Sequence, residues 1–212
     1  MANITNEILL AVILLNFFIL GTSRLATCIK TVASQGILLA LLPPLVHGVN
    51  GHSLLLLTGA LIIKGGIIPW LLFRAIRQVR IRREIEPRIG YIATLVLGAL
   101  ITAGAFLFAD HLPLLPHHLH SLFIPATLST LGTGFLLLIT RRKAITQVLG
   151  YLIFENGIFI FSILLAEAMP ILVEAGVLLD MLVAIFVMGI VMNHINREYS
   201  SINTEHLSLL KE

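Results

Sequence analysis

Ile145 to Leu165 reads ITQVLGYLIFENGIFIFSILL, a nearly unbroken apolar run with Glu155 and Asn156 at its centre. A helix rises about 1.5 Å per residue, so about 20 apolar residues cross a hydrocarbon core about 30 Å thick. This run is long enough to cross a bilayer, and it places a carboxylic acid roughly 15 Å from its start. Comparable runs occupy Ile4 to Gly21, Thr31 to Val49, Ser53 to Phe73, Tyr91 to Phe108, Ser121 to Ile139 and Ile171 to Met192. The backbone polar groups of such segments must be satisfied inside lipid, which favours helices. The expected fold is therefore all-α, a polytopic transmembrane helix bundle of about seven spans.

Composition agrees. Of 212 residues, 58% are hydrophobic and 12% charged, whereas soluble domains carry about 25% charged side chains. The spans use most of the chain, so a single membrane domain is expected over residues 1–212. The first three spans fall in 1–90, the fourth span with an outer loop in 91–120, and the last three spans in 121–200. The net charge of +3 resides in connections between apolar runs; it serves membrane orientation and implies no nucleic-acid partner. Cys28 is the single cysteine, so no internal disulfide and no CxxC pair for zinc or an iron–sulfur cluster is available. No cofactor is expected on this chain, and redox chemistry would belong to another subunit. The first run follows a start containing Glu7 and lacks a basic leader, so it reads as a retained helix rather than a cleaved signal peptide.

The connections alternate in charge. Arg24 and Lys30 precede the second run, Arg74, Arg77, Arg80, Arg82, Arg83 and Arg88 follow the third, and Arg141, Arg142 and Lys143 separate the fifth from the sixth. The other connections carry His47 and His52, then Asp110 to His120, then Glu167 and Pro170. The positive-inside rule assigns the basic connections to the cytoplasm. With seven spans this puts the N-terminus outside and the tail from His194 to Glu212 in the cytoplasm, as a multi-pass protein of the cytoplasmic (inner) membrane.

Three ionisable residues stand near mid-span: Lys64 in the third run, Glu155 in the sixth and Asp180 in the seventh. Each costs roughly 2.5–3.5 kcal/mol on insertion, against about 0.3–0.6 returned by each large apolar residue. Ionisable groups kept at that cost point to function, and a low-dielectric setting penalises their charged forms, which suits proton exchange. The three are the expected proton relay. Tyr151, Gln147 and Ser162 lie close to the Glu155 face of its helix, and Glu174 lies toward the outer end of the seventh run; Tyr151, Gln147 and Glu174 are possible accessory groups. Gly65, Gly66 and Pro69 beside Lys64 predict a broken helix, as in transporters. The plainer alternative for Lys64 is a structural ion pair with Asp180 or Glu155. Gly132 and Gly134 point to close helix packing rather than a ligand site. Asp110, His111, His117, His118 and His120 resemble a metal cluster only in composition. Two prolines interrupt the spacing and no i, i+4 ligand pair forms, so no metal site is expected.

Gly150 to Asn156, GYLIFEN, and Val173 to Ala184, VEAGVLLDMLVA, resemble hydrogenase-4 component E, a membrane subunit of formate-hydrogenlyase-type hydrogenases. Lys64 followed by Pro69 fits the same family, and the likeness is expected to cover essentially the full chain. Residues 121–200 are also similar to the K subunit of respiratory complex I and the C subunit of multisubunit cation/proton antiporters. By that resemblance Glu155 and Asp180 correspond to glutamates on a proton path, with Asp180 one methylene shorter. The resemblance implies a non-catalytic proton-translocating subunit of a complex I-like membrane-bound hydrogenase or related oxidoreductase. Its implied partners are antiporter-like membrane subunits, a hydrogenase-type redox arm and membrane lipid. A cation/proton antiporter subunit and a structural scaffold of the membrane arm are the alternatives.

Overall fold

The computed structural model describes residues 2–78, 89–112, 122–141 and 143–165. Helix α1 spans Ala2–Gly21, α2 Leu25–Ala40, α3 Leu42–His47 and α4 Gly51–Ala60. A π-helical segment, Leu61–Ile67, leads into α5, Ile68–Gln78, and α6 (Tyr91–Asp110), α7 (Phe123–Thr140) and α8 (Ala144–Leu165) follow. Among the described residues, six helical stretches are long and apolar enough to cross a membrane: Asn3–Gly21, Leu25–Val46, Ser53–Arg77, Tyr91–Asp110, Phe123–Thr140 and Ile145–Leu164. The expected seventh span, with Glu174 and Asp180, lies outside the described residues.

Two boundaries differ from expectation by more than three residues. The second span begins at Leu25 rather than Thr31, because Lys30 is accommodated on the exposed side while Leu25, Cys28 and Ile29 of the same turns are buried. A lysine stem can lie along apolar surface with its ammonium reaching outward. The third span continues to Arg77, since Arg74 and Arg77 are exposed while Leu72 and Ala75 of the same helix are buried.

Local breaks have local causes. Pro43 and Pro44 fall in the first turn of α3, where a missing N–H is tolerated, and α2 ends before them at Ala40. Gly48 then takes φ 77°, a left-handed conformation that favours glycine. Ser53 fastens the start of α4 by accepting from the Asn50 N–H at 2.9 Å and donating to the Gly48 carbonyl at 2.8 Å. The π segment directly precedes Pro69. In α-helical register the proline ring would collide with the carbonyl four residues back and remove a hydrogen bond. Widening shifts the pattern, so that Ile68 N–H bonds to the Ile63 carbonyl.

Packing divides the interior into two apolar clusters. One gathers Ile19 and Leu20 of α1, Ile29 and Val32 of α2, Leu72 of α5, Leu137 of α7 and Leu149 and Ile153 of α8. The other gathers Leu9 and Val12 of α1, Leu39 of α2, Ala126 of α7 and Ile160 of α8. The order of the two clusters reverses between α1 and α2 and between α7 and α8, so these neighbours run antiparallel. Arg24, Lys30, Arg74, Arg77, Arg141 and Lys143 consequently share the end of the bundle nearer the first cluster.

Helices α7 and α8 are in backbone contact. A side-chain carbon on Gly134 would stand 2.5 Å from the Phe154 nitrogen, so only glycine permits this approach. The expectation of close packing at Gly134 thus describes the interface that carries Glu155. On the outside, Leu55 (67% exposed) and Ile92 (81%) show large apolar side chains of the third span and α6. A helix pair this apolar on its outer face suits lipid rather than water.

Candidate functional site

Between the two apolar clusters lies a polar layer. Four spans contribute to it at the position separating their two apolar contacts: Asn16 between Val12 and Ile19, Gln35 between Val32 and Leu39, Thr130 between Ala126 and Leu137, and Glu155 with Asn156 between Ile153 and Ile160. Lys64 enters from the π segment of the third span. All six side chains are buried.

Lys64 Nζ stands 2.9 Å from Glu155 Oε1, with the side chains 8% and 2% exposed. Lys64 also donates to Asn156 Oδ1 at 3.2 Å, and its ammonium lies 5.0 Å from the centre of the Phe159 ring. From there the chain of hydrogen bonds runs on. Asn156 Nδ2 donates to Gln35 Oε1 (3.4 Å), Gln35 Nε2 to Asn16 Oδ1 (2.9 Å), and Asn16 Nδ2 to Thr130 Oγ1 (2.9 Å). The direction is uniform for a chemical reason. An ammonium can only donate, so the oxygen of Asn156 must face it, and each amide then passes its NH₂ to the next oxygen. The donor role of Lys64 is thereby matched by the orientation of three amides on three helices.

The π segment and a glycine bring Lys64 inward. Gly36 of α2 lies so close that a side-chain carbon there would meet Lys64 Cβ at 2.8 Å. Meanwhile Ile62 and Ile67 of the same segment remain exposed. The expected helix break beside Lys64 therefore takes the form of a π turn rather than a simple proline kink.

Of the sequence-predicted site residues, Lys64 and Glu155 meet directly in an ion pair. Asp180 and Glu174 lie outside the described residues. Gln147 donates to the Arg141 carbonyl at 3.3 Å, and Ser162 to the Phe159 carbonyl at 2.8 Å, so these two spend their polar groups on backbone. Tyr151 is half-buried against the first apolar cluster. Of the histidine-rich connection after the fourth span, Asp110 and His111 are described, and His111 Nδ1 lies 2.8 Å from the Leu107 carbonyl of α6.

Two features escaped sequence reasoning. Asn16 joins the polar layer although nothing around it is ionisable; its signal is an amide at mid-span in an otherwise apolar run. Arg141 is not a solvated loop charge but 1% exposed. Its Nη2 donates to the Leu20 carbonyl at 3.0 Å, and its guanidinium lies 5.2 Å from the Tyr91 ring centre. The Leu20 carbonyl belongs to the last turn of α1, where helix carbonyls lack intrahelical partners and attract cations.

The fold and this layer define a polytopic membrane protein with a charged pair and amide chain buried between its helices. Over 204 residues, 94% of this chain and 92% of the relative, it is 26% identical to an uncharacterized protein of Mycobacterium tuberculosis, Rv0085. Over 90 residues it is 33% identical to hydrogenase-4 component E of Escherichia coli K12, covering 41% of this chain and 42% of that subunit. The counterpart in Shigella flexneri matches to the same extent. The chain is thus distantly related to hydrogenase-4 component E, across part of its length rather than the whole expected from the sequence motifs. No protein-family model matches it, and no solved structure does.

Proposed function

We propose that this chain is a non-catalytic, proton-coupling membrane subunit of a complex I-like membrane-bound hydrogenase or a related oxidoreductase complex. Glu155 and Lys64 serve as relay groups, with Asp180 as a third. The observation that carries the reading is the 2.9 Å Lys64–Glu155 pair inside the polar layer. Closed, the two charges cancel, and neither needs to exchange a proton. Drawn apart, each becomes a lone charge in low dielectric, and the strain is relieved when the carboxylate takes a proton from water on one side of the pair and the ammonium releases one to water on the other. A charge change in a neighbouring subunit that opens or closes the pair therefore moves protons without any bound metal or cofactor. A relative named as a hydrogenase component supports membership of a multisubunit redox complex. The basic end of the bundle faces the cytoplasm in this reading, and antiporter-like subunits and a hydrogenase-type redox arm are the partners.

A second reading, a scaffold subunit, draws on the same layer, because hydrogen bonds that join five spans also fix helix partners. Glu155→Gln in the reconstituted complex separates the two. The relay predicts that electron transfer and subunit composition survive while proton translocation, followed with a pH-sensitive dye in proteoliposomes, is lost. Unchanged translocation would overturn it, and a complex that fails to assemble would favour the scaffold. Sodium-dependent turnover of the native complex would point instead to a cation/proton antiporter.

A further inference from the structure

Trp70, Phe73, Arg74 and Arg77 recur at intervals of three and four along the last turns of the third span and line a recess of about 330 Å³. Helix geometry puts such positions on one face. Trp70, Arg74 and Arg77 are exposed on that face, Phe73 is half-buried at its edge against the first apolar cluster, and the inward positions of α5 are Ile68, Leu72 and Ala75. The Arg74 guanidinium lies 5.6 Å from the Trp70 ring centre. Arg74 and Arg77 are both exposed, and among the described residues neither forms an ion pair with a carboxylate.

Depth decides what this face meets. Lys64 stands near the middle of the third span, Ser53–Arg77, and at about 1.5 Å per residue Arg74 lies roughly 15 Å and Arg77 roughly 20 Å further along the helix. Half of a core about 30 Å thick is about 15 Å. Trp70 therefore sits just inside the hydrocarbon boundary, Arg74 at it and Arg77 at headgroup level, the arrangement in which tryptophan and arginine anchor a span. The recess walls are chiefly aromatic with guanidinium at the outer edge. A free phosphate or an acidic peptide would gain nothing from the rings, whereas a phospholipid offers acyl and glycerol carbons to Trp70 and Phe73 and a phosphate to the arginines.

We infer that this face of α5 is a binding site for an anionic phospholipid, with Arg74 and Arg77 holding the headgroup phosphate and Trp70 and Phe73 contacting the upper acyl chain. The assignment is independent of the proton-coupling reading.

Trp70 is the single tryptophan of the chain, so its fluorescence reports on this face alone. The purified full-length chain is reconstituted into vesicles in which a small fraction of lipid is brominated on the upper acyl chain. That fraction is either phosphatidylglycerol or phosphatidylcholine. A basic residue at an anionic surface contributes an enrichment of roughly fivefold. The brominated anionic lipid should therefore quench Trp70 well beyond the zwitterionic one, and Arg74→Gln and Arg77→Gln should each reduce the preference by about fivefold. Equal quenching by both lipids in the native chain would overturn the site, whether or not a polyglutamate peptide shifts the fluorescence. So would a preference that survives in the Arg74→Gln/Arg77→Gln chain. The native-chain comparison requires no variant to fold.

Discussion

Glu155 of α8 and Lys64 of the π segment close a 2.9 Å ion pair, and Asn156, the next residue of α8, holds the same ammonium at 3.2 Å. One turn of α8 thus supplies both a counter-charge and a neutral acceptor to a lysine from another span. Through Asn156 the pair is linked to Gln35, Asn16 and Thr130. The charge of Lys64 is in that way shared with a set of amide dipoles that reaches across the bundle.

Removing one member of this pair should cost more than removing both. Lys64→Met leaves the carboxylate without its ammonium in low dielectric, a loss of about 3–5 kcal/mol for buried pairs. Adding Glu155→Gln should restore most of it. Unfolding of the purified chain in mixed detergent micelles, run as a double-mutant cycle, measures the coupling. A double variant no more stable than Lys64→Met would show that the pair does not act as a unit.

The amide chain makes a different demand. Asn16→Leu strands the Gln35 amide and the Thr130 hydroxyl, and stranded buried groups cost about 1–3 kcal/mol. Thr127 provides the contrast: its hydroxyl is buried and, among the described residues, has no hydrogen-bond partner. Thr127→Val should therefore be neutral or stabilising by up to about 1 kcal/mol, since no bond is lost and a desolvated hydroxyl is removed. The same micelle titration checks both, and a destabilised Thr127→Val chain would contradict the assignment.

Gly134→Ala tests the helix contact that carries the pair. The added methyl would press on the backbone of Phe154, beside Glu155, and no rotamer change relieves a clash with main chain. A loss of about 1–3 kcal/mol is expected, as for overpacked interiors. The displacement should also draw position 155 away from position 64. In a chain carrying Lys64→Cys and Glu155→Cys together, with Cys28→Ser to remove the native thiol, cross-linking of the two positions by a short bifunctional thiol reagent should then be slower once Gly134→Ala is added. Equal cross-linking rates would mean that α8 keeps its position.

The all-helical membrane fold was legible because hydrocarbon sets the length and composition of a span within narrow limits. Six of the runs read from the sequence correspond to helices, with ends displaced by more than three residues where Lys30, Arg74 and Arg77 occupy exposed positions of longer helices. Lys64 and Glu155 were legible for the related reason that charge at mid-span is costly. Asn16 and Arg141 were not. An isolated amide in an apolar run gives little signal, and a basic residue at a helix end looks the same whether it meets water or a carbonyl and a ring.

By itself the sequence determined that the chain crosses a membrane repeatedly and keeps an amine and a carboxylic acid at mid-depth, because insertion energies depend on residue type and position along one helix. Only the tertiary structure decided that Lys64 meets Glu155 and that Asn156, Gln35, Asn16 and Thr130 extend the contact into one layer. Which faces meet depends on backbone approaches at Gly36 and Gly134 and on the π turn before Pro69, and these are settled by packing between helices rather than by any one of them.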